Sequence, residues 1–133
     1  MKSKDKQLQY LIDKALDAGS IPELINLISE IAETSICFKD IDGSVYVKSS
    51  VPEFIEHVGA YPLQELRRNY KVIKISDNGY LLGHLILPNI EVVGDESLTA
   101  AIVLAIRVYC IRNKAERERK YMAESDILQR FLT

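Results

Sequence analysis

The apolar positions near the N-terminus recur at intervals of three and four residues, which is the period of an amphipathic helix. This pattern predicts a first helix over residues 5–18, and Gly19 follows where a helix C-cap is expected. Ser20 and Glu23 then have the spacing of a capping box, and a second apolar stripe continues to a predicted helix end near Thr34. The N-terminal quarter of the chain is therefore predicted to form two consecutive helices.

Alternating apolar and polar positions replace the helical period in two later segments. Residues 35–50 form two short alternating runs around an Asp-Gly pair at 42–43, and residues 70–88 form two runs around an Asn-Gly pair at 78–79. These dipeptides favour tight hairpin turns because glycine accepts a positive φ. The sequence predicts four strands in two antiparallel hairpins.

The segment between the hairpins, residues 51–69, has the weakest pattern in the chain. Two prolines and a glycine interrupt it. Residues 53–58 and 63–68 are each predicted to form a helical turn or two. This segment, 51–69, is called the insert below.

The last third of the chain predicts one long helix. No glycine or proline occurs from Asp95 to Thr133, and Asp95 or Ser97 is the expected N-cap. Its first half is apolar nearly all round, which favours packing under the sheet or in an oligomer seam. Its charged second half either extends that seam as a short coiled coil or is a solvated helix. The pattern also leaves open whether the helix continues straight through Ser125.

The composition and charge of the chain argue against several classes of function. The length of 133 residues, with 47% hydrophobic and 27% charged residues, is typical of one soluble globular domain. A net charge of −2 supplies no excess positive field for a phosphate backbone, so direct nucleic-acid contact is not expected. The apolar runs are shorter than the roughly 20 residues of a membrane span, and the N-terminus lacks an apolar signal core. These features favour a cytoplasmic protein without a membrane segment.

The reactive side chains do not form a recognisable catalytic set. Cys37 and Cys110 lack paired metal-ligand spacing, so we expect two buried hydrophobic residues and no metal site. His57 is predicted to lie on a solvated helical turn, whereas His84 lies on a strand and either faces a pocket or is a hydrogen-bonded core residue. No nucleophile paired with a base and no glycine-rich phosphate loop is visible, so neither an enzyme nor a cofactor is expected.

Two segments resemble one family of bacterial regulators. Residues 24–50, LINLISEIAETSICFKDIDGSVYVKSS, and residues 114–133, KAERERKYMAESDILQRFLT, are similar to the beginning and the end of the GAF-like sensory domain in regulators of purine catabolism and sugar-diacid utilisation. The resemblance covers most of residues 11–133. The order of the predicted elements is also that of an α+β domain of the kind found in GAF and PAS modules, with an antiparallel sheet of four to five strands covered by helices on one face. This domain would span residues 1–112. Residues 113–133 would be a connector helix to an output domain that binds DNA.

The resemblance also implies the place of a ligand site, and the apolar stripes of the helices indicate a dimer. The ligand would lie between the sheet and the insert as an unknown small metabolite, with Arg67 or Arg68 pairing with its carboxylate or phosphate. The candidate ligand-binding residues are Tyr46, Tyr61, Arg67, Tyr70 and His84. A homodimer would form through the first and last helices, with Leu8, Leu11, Ile12, Leu104, Val108 and Ile111 as candidate interface residues.

The alternative function is a ligand-free structural dimerisation domain. It shares the fold and the helices but has no ligand. A closed apolar interior between insert and sheet would favour this alternative, whereas a cavity with convergent arginine and tyrosine side chains would favour sensing.

Overall fold

The chain folds as an α+β domain, as predicted, and its described residues form five helices and a four-stranded antiparallel sheet. This computed structural model describes the backbone of residues 3–88 and 96–132, and the side chains of residues 9–88, 96–115, 118 and 119. The helices are α1 (Ser3–Leu16), α2 (Ile21–Ala32), α3 (Pro52–Ala60), α4 (Leu63–Asn69) and α5 (Glu96–Leu132). The strands are β1 (Ile36–Asp40), β2 (Val45–Lys48), β3 (Tyr70–Asp77) and β4 (Tyr80–Pro88).

Both predicted hairpins are present, and they join through their first and last strands. The strand order is β2-β1-β4-β3, and each neighbouring pair is antiparallel. Gly43 and Gly79 occupy the hairpin turns with φ of 89° and 83°, and Asn78 before the second glycine has φ of 49°. Positive φ at both central residues is the geometry that an Asn-Gly turn supplies at little steric cost.

The N-terminus of α2 confirms the capping signal. The Ser20 hydroxyl accepts a hydrogen bond from the Glu23 amide at 3.3 Å, and the Glu23 carboxylate accepts one from the Gly19 amide at 2.9 Å. The helix ends at Ala32, slightly before the predicted end, because Glu33 turns into the left-handed region with φ of 52°. The chain then enters β1 at the centre of the sheet.

Most of the buried apolar side chains lie on one face of the sheet and form what we call the main core. Helices α2 and α5 pack on this face, and α1 packs against both. Leu11, Ile28, Phe38 and Ile102 are fully buried here. Burial of apolar surface between the three helices and the sheet is therefore the principal stabilisation of the fold.

The opposite face of the sheet is also covered, which corrects the expectation of helices on one face alone. The insert forms α3 and α4, and these helices bury Phe54, Val58 and Leu66 against Cys37 and Ile86 of the sheet. This smaller cluster is called the insert core. Adjacent strand residues point to opposite faces, so β1 and β4 supply side chains to both cores.

Helix α5 is a single helix of 37 residues that continues through Ser125. The possible cap Asp95 lies outside the described residues, and Ser97 lies within the first turn of the helix. At about 1.5 Å per residue the helix is about 55 Å long. None of the helices in the described part of the chain combines the length and the apolar character that crossing a membrane requires.

Candidate functional site

An open cavity of about 1030 Å³ lies at one end of the insert. It is bounded by the C-terminal end of α2, the loop between β2 and α3, the first turns of α3, and the start of β3. Three carboxylates and one lysine line it, Glu30, Glu33, Glu53 and Lys48, together with several serine and threonine hydroxyls. The charged groups of the cavity are therefore mostly negative.

One wall of the cavity is a hydrogen-bonded pair, His57 and Tyr70. The His57 Nδ1 atom lies 2.8 Å from the Tyr70 hydroxyl oxygen, and the Tyr61 ring stacks on the imidazole with ring centroids 4.9 Å apart. The Glu53 carboxylate is 3.8 Å from Nε2, and the Phe54 ring meets Tyr70 edge-on at 5.3 Å. Contacts on three sides hold the imidazole in one orientation beside the cavity.

The hydrogen bond between His57 and Tyr70 joins two neutral or protonated groups. Burial raises the pKa of the Tyr70 phenol, and the Glu53 carboxylate and the Tyr61 phenol raise it further, so Tyr70 is protonated at neutral pH. A protonated phenol both donates and accepts, so the direction of this hydrogen bond depends on the tautomer of His57. When the proton is on Nε2, it points towards Glu53 and Tyr70 donates to Nδ1.

The sequence did not predict the role of His57. Its side chain is only 21% exposed, whereas a solvated turn was expected. Its partner Tyr70 is 13 residues away on a strand, so helical spacing within the insert carries no signal of the contact. Tyr61 and Tyr70, which contact this imidazole, were both candidate ligand-binding residues, but the sequence did not connect either of them with His57.

The candidate ligand-binding residues lie in three different places. Tyr70 lines the cavity, and Tyr61 reaches it only through its stack on His57. Tyr46 lies opposite Phe38 in the sheet and packs against the main core. Arg67 and His84 lie beyond the insert core, and the cavity lining contains no arginine.

His84 sits between two lysines on the insert face of the sheet. Its neighbour on β1 is Lys39 and its neighbour on β3 is Lys74, in register on adjacent strands. Burial lowers the pKa of the His84 imidazole, and the charges of Arg67, Lys74 and Lys39 lower it further. We call Lys39, His84 and Lys74 the cationic row.

The candidate interface residues divide between the interior and the surface. Leu11 is fully buried in the main core, Ile12 is half-buried, and the Leu8 side chain lies outside the described residues. On α5, Leu104 and Ile111 are each 37% exposed and Val108 is half-buried. Helical spacing places these three residues on a face turned away from the buried Ile102 and Ile106.

The cysteines lie away from the cavity and from any ligand set. Cys37 is fully buried in the insert core, and burial raises its pKa to about 12 even though Lys39 acts in the opposite direction. A thiol with so high a pKa has almost no thiolate at neutral pH and is a poor nucleophile. Among the described residues, no group of three histidine, cysteine or acidic side chains is placed to hold a metal ion.

Comparison with known proteins does not identify a family. Neither a scan against protein-family models nor a search of curated proteins finds a match to this chain. The resemblance to the sensory domains of bacterial regulators stays a prediction.

Proposed function

We propose that this chain is a regulatory ligand-binding domain of a bacterial transcription regulator, with its ligand in the cavity beside His57 and Tyr70. The main support for the proposal is the open cavity of about 1030 Å³, whose wall contains the hydrogen-bonded pair His57 and Tyr70. Small-molecule sites typically have volumes of about 300–1,000 Å³ and a few oriented polar groups. The cavity is therefore at the upper end of that size range.

The charges of the cavity favour a neutral or cationic metabolite. Glu30, Glu33 and Glu53 outnumber Lys48, so a dianion would meet net repulsion. The hydroxyls accept or donate hydrogen bonds, and the rings of Phe54 and Tyr70 supply apolar surface. This ligand differs from the anion that the position of Arg67 in the insert led us to expect.

Ligand binding would change the arrangement of α5 by shifting α2. The cavity is lined by the last turn of α2, and the other side of α2 packs in the main core with α5. The Arg112 guanidinium also donates a hydrogen bond to the Leu16 carbonyl, which joins α5 to the end of α1. A ligand that draws α2 towards α3 would favour one of two arrangements of α5, and an output domain attached to α5 would sense the difference.

A thermal-shift screen followed by one hydroxyl deletion tests the cavity. Purines, ureides, amino acids, polyamines and sugar diacids are screened with the purified chain, and a native-state ligand at a hundred times its dissociation constant adds about 2.7 kcal/mol of stability. We expect hits among the neutral or cationic compounds. Tyr70→Phe should weaken a hit by about 3- to 10-fold, because it removes one hydrogen bond from the cavity wall.

The matched control is Tyr80→Phe, which removes the same hydroxyl from an exposed tyrosine at the β3–β4 turn. This change should leave affinity unaltered. If the wild type and Tyr70→Phe bind the screened ligand with equal affinity, the ligand site lies elsewhere in the protein. A hit confined to the sugar diacids would contradict the charge argument.

A structural dimerisation domain without a ligand is the second candidate. The space between the sheet and the insert is filled by Phe54, Val58 and Leu66, which is the closed apolar interior that favours this alternative. Both candidates include a homodimer through α5. The ligand screen separates them, because only the regulatory domain has a ligand-dependent melting temperature.

The homodimer itself has a direct test in Leu104→Asp. A carboxylate buried between two copies of α5 would be desolvated without a partner, so the mutant should be monomeric by light scattering at concentrations where the wild type is dimeric. Ile41→Asp makes the same kind of change at an exposed hairpin turn and should leave the molar mass unaltered. A Leu104→Asp protein with the mass of a dimer would place the interface elsewhere.

A further inference from the structure

The cationic row crosses three adjacent strands on a single face of the sheet. Lys39 of β1 lies opposite His84 of β4, which lies opposite Lys74 of β3. Neighbouring strands are about 4.8 Å apart, so the backbone positions of the two lysines are separated by about 10 Å. Directly opposed residues share a face, which places all three side chains together.

The insert borders this row without covering it. Lys39 donates a hydrogen bond from Nζ to the Tyr61 carbonyl at 3.4 Å, at the junction between α3 and α4. Arg67 of α4 lies close enough to His84 to act on its charge, and both Arg67 and Lys74 are solvent-exposed. Lys39 and His84 are half-buried, so they lie deeper in the surface than the exposed Lys74 and Arg67.

The charges around His84 are unfavourable to its protonation. Lys39 and Lys74 each lie directly opposite His84, so a protonated imidazole would face a positive charge on both neighbouring strands. The charged groups that act on His84 from β1, β3 and α4 are all cationic, and together with burial they lower its pKa. Within the part of the chain that the structure describes, no carboxylate forms an ion pair with Lys39, Lys74 or Arg67.

We infer that Lys39, His84, Lys74 and Arg67 form a binding site for a small anion with phosphate or carboxylate oxygens. Lysine ammonium groups bind such oxygens as point charges, and an arginine guanidinium binds them as a two-pronged donor. The lysine side chains are long and flexible, so backbone positions about 10 Å apart allow both ammonium groups to contact one small anion. The net charge of −2 disfavours a long polyanion, which would also meet the rest of the surface.

This site is separate from the cavity in position and in charge. None of its four residues lines the cavity, whose own charged groups are mostly carboxylates. This anion site is additional to the proposed function, and a negative result at one site would leave the other site unaffected.

NMR titration of the two histidines tests the site, because His84 lies in it and His57 lies in the cavity wall. Inorganic phosphate and succinate are added separately at neutral pH, with chloride at equal ionic strength as the control. We expect a saturable shift of the His84 ring signals and little change at His57. Binding of both anions indicates a shared preference for oxyanions, and binding of phosphate alone restricts the site to phosphoryl groups.

A pair of lysine variants on one strand supplies the matched control. Lys74→Gln removes a charge from the cationic row, and Lys71→Gln removes one from the opposite face of β3, where Lys71 lies opposite Leu87. Lys74→Gln should weaken binding about tenfold, as loss of a charge-assisted contact does, and Lys71→Gln should have little effect. Both variants should keep the wild-type melting temperature within a few degrees.

The pH dependence follows from the lowered pKa of His84. Protonation of this imidazole adds a positive charge beside the anion, so bound anion raises its pKa and binding tightens as pH falls. Sulfate keeps its charge between about pH 5 and pH 8, so its affinity should rise towards the acid end. His84→Gln should remove that rise.

Three results would overturn the inference. One is a His84 shift no larger than that in chloride. Another is equal weakening by Lys74→Gln and Lys71→Gln. The third is a single-stranded oligonucleotide binding this face more tightly than phosphate or succinate does.

Discussion

Replacing Gly83 with alanine is expected to lower the free energy of unfolding by about 3 kcal/mol, the upper end of the usual cost of overpacking. An added Cβ would lie 2.5 Å from the Lys39 carbonyl oxygen and 2.6 Å from Cζ of Phe38. The carbonyl belongs to a central strand of the sheet, and the Phe38 ring is fully buried in the main core. Neither group has room to move without disturbing its neighbours. Urea denaturation measures the loss.

Gly59→Ala is the matched control for this change. Gly59 is exposed on α3, and an added Cβ there would meet no atom within 4 Å. Alanine should stabilise α3 by up to about 1 kcal/mol, because glycine is the poorer helix former. The two Gly→Ala changes therefore have opposite expected signs. A Gly83→Ala protein as stable as the wild type would show that Phe38 and β1 adjust freely.

The Phe38 ring accounts for only part of the strain expected in Gly83→Ala. Phe38→Leu in the same chain removes the ring atoms that the new Cβ would meet but leaves the Lys39 carbonyl in place. The cost of Gly83→Ala should therefore be smaller in the Phe38→Leu background than in the wild type. The difference is the coupling between the two positions, which a double-mutant cycle measures directly.

The parts of this fold that the sequence predicted are those with short-range causes. The Ser20 cap of α2 and the two glycine hairpin turns depend on residues a few positions apart, and all are present. The two helices of the insert also fall on the segments with helical turns. Turn and cap chemistry is local, so the surrounding fold had little opportunity to override it.

The parts that were missed depend on long-range packing. Pairing of β1 with β4 joins the two hairpins, and neither hairpin pattern specifies it. The positions of α3 and α4 on the second face follow from burial of Phe54 and Leu66, which single-segment periodicity does not assign to a face. The contact between His57 and Tyr70 arises only after that packing.

The alternation of side chains along the strands also indicates which candidate residues share a face of the sheet. Tyr70 and Lys74 are an even number of positions apart on β3, so they share the insert face, and the register adds His84 to the same face. Tyr46 lies opposite Phe38, so the register of the first hairpin places it on the face of the main core. Sorting the candidates by face would have separated Tyr46 from the rest. It would not have separated the cavity from the cationic row, since both lie on the insert side.

Leu66→Ala is expected to lower the free energy of unfolding by about 3 kcal/mol and to loosen α4. Leu66 is the one fully buried side chain of this seven-residue helix. Truncation of a buried leucine typically costs about 2–5 kcal/mol, and a helix this short is not stable without tertiary packing. Urea denaturation measures the global change, and amide hydrogen exchange of residues 63–69 measures the local one.

Leu63→Ala is the control for the Leu66 change, because Leu63 is a leucine on the same helix that is only half-buried. It should cost about 1 kcal/mol, in proportion to its smaller buried area. Equal costs for the two leucines would mean that α4 is not anchored by Leu66.

Loosening α4 should affect the two candidate sites unequally. Arg67 follows Leu66 directly, so a mobile α4 moves Arg67 away from the cationic row and weakens anion binding, even though Arg67 and the three residues of the row are unchanged. The His57–Tyr70 pair is held by α3 and by the first residue of β3, with Phe54 packed beside Tyr70. Leu66→Ala should therefore reduce phosphate affinity at the cationic row more than it reduces ligand affinity in the cavity. Equal losses at both sites would indicate that the insert moves as one unit, and that the two sites are coupled through it.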